Sequence, residues 1–119
     1  MARVVVYKAL NLIAGQEKDP LEIFSLALKN VSPKMELKSK RIGGANYQIP
    51  REVSADRGTT LAMRWIIGAS RKRKGGSMSK RLADEILNGS REQGDAFKKK
   101  IDTHKMAEAN KAFAHFARF

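Results

Sequence analysis

The sequence predicts a mainly α fold, a helical bundle of about five helices with a protruding two-stranded β-ribbon. Three observations carry this. Apolar residues recur with helical spacing through most of the chain, and glycine, proline and helix-capping residues punctuate those stretches. One segment, at about 35–53, breaks the pattern: short strand-like runs flank the pair Gly43-Gly44.

The opening segment spaces Val5, Val6, Ala9, Leu12 and Ile13 as one helical face, and Gly15 is a good stop. Asp19 is a strong N-cap for the next helix, Pro20 fits its first position, and Glu22 sits where a capping-box partner would. Phe24, Ala27, Leu28 and Val31 form its expected buried stripe, and Pro33 forbids continuation. Residues 35–42 and 46–53 read as the ribbon strands, with Pro50 marking the second as an edge. A helix then covers "TTLAMRWIIGASRKRKGG", with Leu61, Trp65, Gly68 and Ala69 on one face and Gly75-Gly76 as its end. Ser77 caps the following helix, whose core side is Met78, Leu82, Ala83, Ile86 and Leu87, and Gly94 stops it. Asp95 is expected to cap a last helix running through "FKKKIDTHKMAEANKAFAHF", with Met106, Ala109, Phe113 and Phe116 as its packing stripe. No linker is long enough to separate two domains, so residues 1–119 read as a single domain.

Composition narrows the function. The chain has 119 residues and is 42% hydrophobic, which suits one small core rather than disorder. Lys+Arg is 24 against 12 for Asp+Glu, a formal net charge of +12. Such an excess opposes compaction unless a polyanion offsets it, and a phosphate-rich partner is favoured over an anionic membrane. With 0 cysteines there is no disulfide framework, thiolate metal site or cysteine nucleophile. No window approaches 18 apolar residues, and Lys8 interrupts the apolar opening that a signal peptide would need.

Enzyme chemistry has little to stand on, and no cofactor is expected. His104 and His115, 11 residues apart, would sit about 16 Å from each other on a helix, too far to share a metal. Each reads first as a polar or half-buried helix residue and second as an RNA phosphate contact. The glycine pairs are turn residues rather than a phosphate cradle.

Taken singly, the basic runs could be solvated helix ends. Together they are segregated. Lys34, Lys38, Lys40 and Arg41 mark the ribbon, Arg71 to Lys74 end one helix, and Lys98 to Lys100 open another. By contrast Lys80, Arg81, Asp84 and Glu85 allow i,i+4 pairs on a solvent-facing helix. Trp65 reads first as core and second as a stacking platform, while Tyr47, beside the ribbon tip, is placed to stack on or bond a partner. The expected mode is backbone and shape recognition of a structured RNA.

The blocks "LKSKRIGGANYQIPREV" at 37–53, "LAMRWIIGASRKR" at 61–73 and "KKKIDTHKMAEANKAFAHF" at 98–116 resemble, in order, the seventh protein of the small ribosomal subunit in its bacterial and organellar branch. The resemblance implies a structural constituent of the small subunit, located on the ribosome of a bacterial cytoplasm or an organelle matrix or stroma. The implied roles are binding the 3′ major (head) domain of small-subunit rRNA, nucleating head assembly and lying near the exit tRNA site and mRNA exit channel. Implied partners are that rRNA, neighbouring small-subunit proteins, exit-site tRNA and mRNA, with no membrane. Residue by residue, Lys34, Lys38, Lys40 and Arg41 match the ribbon that lies against rRNA. Gly43, Gly44, Asn46 and Tyr47 match its tip, facing tRNA and mRNA. Arg71, Lys72 and Arg73, with Lys74 beside them, match the basic helix end, and Lys98, Lys99, His104, Lys105 and Lys111 match the basic side of the last helix. Family members usually begin with a basic arm and a further helix, so this chain is expected to enter partway into the family pattern, leaving Val5, Val6 and Leu12 short of an apolar partner. The alternative reading is a basic nucleic-acid-binding regulator outside the ribosome.

Overall fold

The computed structural model describes residues 2–16 and 19–113. Its elements run α1 (Ala2–Ala14), α2 (Pro20–Val31), β1 (Met35–Ile42), β2 (Ala45–Glu52), α3 (Ala55–Lys72), α4 (Met78–Ser90) and α5 (Gly94–Ala109). The helical class, the helix order and the ribbon are those the sequence predicts.

The helix α4 is the centre of the bundle and packs against α1, α2, α3 and α5. Its Leu82, Ala83, Ile86 and Leu87 meet Ala9 and Ile13 of α1, Ala27 and Val31 of α2, and Ala62 and Ile66 of α3 in one buried cluster. Small side chains let the axes come close. A Cβ on Gly89 would lie 3.3 Å from Val31 Cγ2 and 3.4 Å from Ala27 Cβ, so α2 and α4 touch almost backbone to backbone there. Asn30 Nδ2 then donates to the carbonyls of Gly89 and Ser90, both at 3.1 Å, and satisfies the end of α4 from α2.

Three expected stripes are rotated. On α3 the buried line runs through Leu61, Ala62, Ile66 and Ala69, with Trp65 and Gly68 half-buried at its edge. On α1, Ala9 and Ile13 are fully buried, whereas Val6 and Leu12 stay 46% and 44% exposed. On α5 the buried residues are Ala96 and Ala107, and Met106 and Ala109 are exposed. That helix ends at Ala109, where the ladder tightens: the Asn110 N–H is shared between the Met106 and Ala107 carbonyls, its side-chain amide also donates to Met106, and Phe113 N–H then donates to Asn110. Phe116 and His115 lie outside the described residues.

Helix starts also differ from expectation. The α3 helix opens at Ala55 because the Ser54 hydroxyl accepts from the Arg57 N–H at 3.2 Å. Asp95 does not cap α5. The residue before the helix is Gln93, which makes no side-chain cap, and the buried Ala96 N–H donates to Glu85 Oε1 of α4 at 3.0 Å. Glu85 is therefore not solvent-facing: it is 1% exposed, and Arg73 Nε donates to its other oxygen at 2.9 Å. Arg81, freed from the expected pairing, donates to the carbonyls of Arg71 and Arg73 at 3.3 and 3.0 Å and closes the end of α3. Only Lys80 and Asp84 make the predicted i,i+4 pair, at 3.0 Å.

In the ribbon, Ile42 pairs with Ala45 and the register continues to Met35 opposite Glu52. Gly43 and Gly44 have φ of +58° and +85°, as a two-residue hairpin turn of the right twist needs. Such a turn closes on a hydrogen-bonded pair, so alternation makes Leu37 opposite Pro50 a non-hydrogen-bonded pair. Pro50 thus removes no ladder bond, and the ladder resumes beyond it, with Val53 N–H donating to the Lys34 carbonyl at 2.9 Å. Among the elements, α5 alone packs against the ribbon.

Candidate nucleic-acid interface

The ribbon stem is built from alternation. Lys38 and Lys40 share one face with Ile49 and Tyr47, while Arg41 shares the other with Asn46. Lys38 and Arg41 are exposed and Lys40 is half-buried. From Leu37 to Arg51 there is no acidic residue. Two acids stand at the base, Glu36 and Glu52; Glu36 lies 3.6 Å from Arg51 and 3.5 Å from Arg57, so its charge is directed to arginines on β2 and α3.

Tyr47 has an internal neighbour. Its ring lies 5.2 Å from that of Phe113, tilted by 52°, and the side chain is half-buried. The ribbon thus packs on α5 and, at Tyr47, on the segment just after it. Gly43, Gly44 and Asn46 are exposed at the tip.

The ribbon base is fastened by His104. The Lys34 N–H donates to His104 Nε2 at 3.0 Å, which makes the imidazole a neutral acceptor. Burial first, then the charges of Lys100 and Lys34, push the imidazole below its usual pKa of 6.5. Lys100 is half-buried and structural too. Its Nζ donates to the Asn30 carbonyl at 2.8 Å and lies 5.5 Å from the Phe97 ring centroid. Burial lowers its pKa, with Glu92 opposing that shift and Lys34 adding to it.

The remaining basic positions fall along α3 and α5. Arg71, Lys72 and Lys74 are exposed, whereas Arg73 is tied to Glu85. Lys72 of α3 lines the same groove as Lys98 and Lys99 of α5, so two clusters far apart in sequence become one surface. Lys105 and Lys111 are exposed nearer the ribbon, and Lys111 lies 3.0 Å from Glu108, both open to solvent. Such an exposed pair is worth about 0–1 kcal/mol and yields readily to a phosphate. Arg64 also lines the α3–α5 groove and was not singled out from sequence. Its signal was there: Arg64, Gly68 and Lys72 follow at i, i+4 and i+8.

Among the described residues no group of three His, Cys, Asp or Glu side chains could hold a metal, and no helix is long and apolar enough to cross a membrane. What the geometry offers is a train of cations from the ribbon stem along α5 to the end of α3.

Comparison with known proteins decides the lineage. The family described as Ribosomal protein S7p/S5e matches residues 1–111. A small ribosomal subunit protein uS7 from Dehalococcoides mccartyi is 56% identical over 116 residues, which is 97% of this chain and 74% of that protein. The chain belongs to the ribosomal protein S7 family. A uS7 of Mycoplasmopsis agalactiae is 51% identical over 117 residues, covering 98% of this chain and 75% of its own length. A uS7 of Gloeothece citriformis is 50% identical over the same length and shares. Membership is of the bacterial type and makes the chain a structural, non-enzymatic component of the small ribosomal subunit, whose partners are rRNA and other ribosomal proteins. It sets aside the reading as a regulator outside the ribosome.

Proposed function

We propose that residues 1–119 act as a single domain that binds the 3′ major (head) domain of small-subunit rRNA, nucleates head assembly and lies near the exit tRNA site and mRNA exit channel. The contacting cations are Lys34, Lys38, Lys40 and Arg41 on the ribbon, Arg71, Lys72 and Lys74 at the end of α3, and Lys98, Lys99, Lys105 and Lys111 along α5. Arg73 and His104 support this surface from inside. Gly43, Gly44 and Asn46 form the part of the ribbon that reaches toward tRNA and message, with Tyr47 holding it against Phe113. The observation that carries the reading is the ribbon stem, acid-free from Leu37 to Arg51, with acids only at its base, where Glu36 is already engaged by Arg51 and Arg57 and Glu52 ends β2.

The test separates stem from tip. Phosphate contacts position a protein without reading sequence, so Lys38→Ala with Lys40→Ala should weaken binding to all head-domain rRNA variants. The slope of log affinity against log salt should flatten by roughly one unit per lost contact. For the tip, removing Arg41, Ile42, Ala45 and Asn46 keeps Gly43-Gly44 and makes Lys40 opposite Tyr47, a hydrogen-bonded pair, the new closing pair. That variant should keep rRNA affinity to within the loss of the Arg41 contact and change exit-site tRNA retention in reconstituted subunits. Unchanged rRNA binding in the stem variant, or its abolition in the tip variant, refutes this division of labour.

A further inference from the structure

Three glycines lie inside α3 and α4, and two have a reason within the chain. A Cβ on Gly58 would stand 3.3 Å from the Pro33 carbonyl oxygen, and one on Gly89 would stand 3.3 Å from Val31 Cγ2. Gly68 differs: nothing lies within 4 Å of the position its Cβ would occupy. Glycine in a helix interior lowers stability relative to alanine, so packing within the chain does not account for this residue. Gly68 instead floors a groove of about 460 Å³ between α3 and α5. Trp65 stands one turn before it and Lys72 one turn after it on the same face, with Arg64 beside Trp65 and Lys99 opposite.

We propose that this groove seats an unpaired RNA base, stacked on Trp65 over Gly68, with Lys72 and Lys99 on the flanking phosphates. The proposal rests on the rRNA-binding reading above and deepens it. Trp65 is half-buried, one edge on the core cluster and the remainder in the groove. Lys99 Nζ lies 5.4 Å from its ring centroid. A cation over an exposed ring is worth less than a stacked base, so a base displaces Lys99 from the ring. The released ammonium then meets a phosphate, where it does more than over the indole. Two carboxylates on the α5 wall, Asp95 and Asp102, give the site its preference. A carboxylate repels phosphate but accepts from exocyclic amino groups, so cytosine, adenine and guanine are admitted over uracil.

The chain has 1 tryptophan, so emission from Trp65 reports the groove alone. The probes are short single-stranded RNAs of one base each and an abasic strand of equal length, added to the whole chain at low salt. Cytosine- and adenine-containing strands should quench Trp65, and uridine and abasic strands should bind with little quenching. A Cβ at position 68 meets nothing within 4 Å and glutamine favours the helix, so in Gly68→Gln thermal unfolding should hold or rise while the quench disappears and affinity for the cytosine strand falls about tenfold. Lys38→Ala with Lys40→Ala should weaken rRNA binding yet leave the quench intact. Equal quenching by abasic strands, an unaffected Gly68→Gln variant, or quenching by an acidic peptide and not by RNA overturns the base seat while leaving the phosphate-binding reading standing. That reading falls separately, through salt-independent rRNA binding.

Discussion

Replacing Glu85 by alanine should destabilise the chain more than any single change at its basic surface. The carboxylate is 1% exposed and accepts from Arg73 Nε at 2.9 Å and from Ala96 N–H at 3.0 Å, so one side chain in the middle of α4 ties the end of α3 to the start of α5. Removing one partner of a buried ion pair costs about 3–5 kcal/mol. The Arg73 side chain is 31% exposed, so water recovers part of its charge and the lower end applies. The orphaned, buried Ala96 N–H adds about 1–3 kcal/mol, not fully additively because both bonds end on one group. The expected loss is therefore about 3–4 kcal/mol, a large part of the roughly 5–15 kcal/mol that holds a domain folded. With a urea slope of about 1–3 kcal/mol per molar, the unfolding midpoint should fall by about 2 M. Arg73→Ala should cost a comparable amount, since it leaves a buried carboxylate with one donor. The double variant should cost at least about 1 kcal/mol less than the sum of the singles. At matched folded fraction, Arg73→Ala should leave the salt slope of rRNA binding unchanged. A midpoint shift under about 0.3 M for Glu85→Ala, or strict additivity in the double variant, would refute the reasoning.

His104 should make stability pH-dependent with a definite sign. Its folded-state pKa lies below the unfolded 6.5, so its contribution is complete above 6.5 and is lost as pH falls toward the folded value. The difference in urea midpoint between pH 7.5 and 5.5 should shrink in His104→Gln, which keeps an acceptor that does not titrate; an equal pH response in both proteins contradicts the latch. Gly89→Ala should be nearly neutral, because helix propensity offsets the tight contact with Val31 and Ala27. Gly89→Val should cost about 1–3 kcal/mol by forcing α2 from α4, read as a fall in thermal midpoint.

Local signals in the sequence placed most elements. Asp19 with Pro20, Ser77, and Gly43-Gly44 act through neighbours within a few residues, and each behaves as expected. What misled were residues whose partners are distant in sequence. Asp95 looked like the cap of α5, but the acceptor came from Glu85 in the preceding helix. Glu85 and Arg81 read as surface residues because the i,i+4 rule sees one helix at a time, and both turn to the end of α3 instead. The α3 stripe was off by one position: Ile66 and Trp65 are both apolar, and periodicity alone does not choose which of two adjacent apolar residues faces α4. For the interface, the ribbon lysines were legible as a run. The joining of Lys72 to Lys98 and Lys99 across α3 and α5 was not, because helix packing creates that groove.

The placement of the acids explains why the cationic surface stays available. The chain has 12 acidic and 24 basic residues, too few acids to neutralise the surface. Several are spent on the scaffold: Glu36 on Arg51 and Arg57, Glu85 on Arg73, Asp84 on Lys80. Three of those four cations are arginines, whose planar fork suits fixed pairing. The ribbon stem and the groove wall are instead rich in lysine, a flexible point charge that can follow a phosphate backbone. The buried and base pairs thus draw mainly on arginine, and the proposed interface mainly on lysine, with Arg41 and Arg71 the arginines among its contacts. Free in dilute salt, those like charges strain the ribbon, α5 and the end of α3 against one another. On the proposed reading, a polyanion lying across all three would relieve that repulsion while closing the contacts, and RNA binding and stabilisation of the fold would be one electrostatic event.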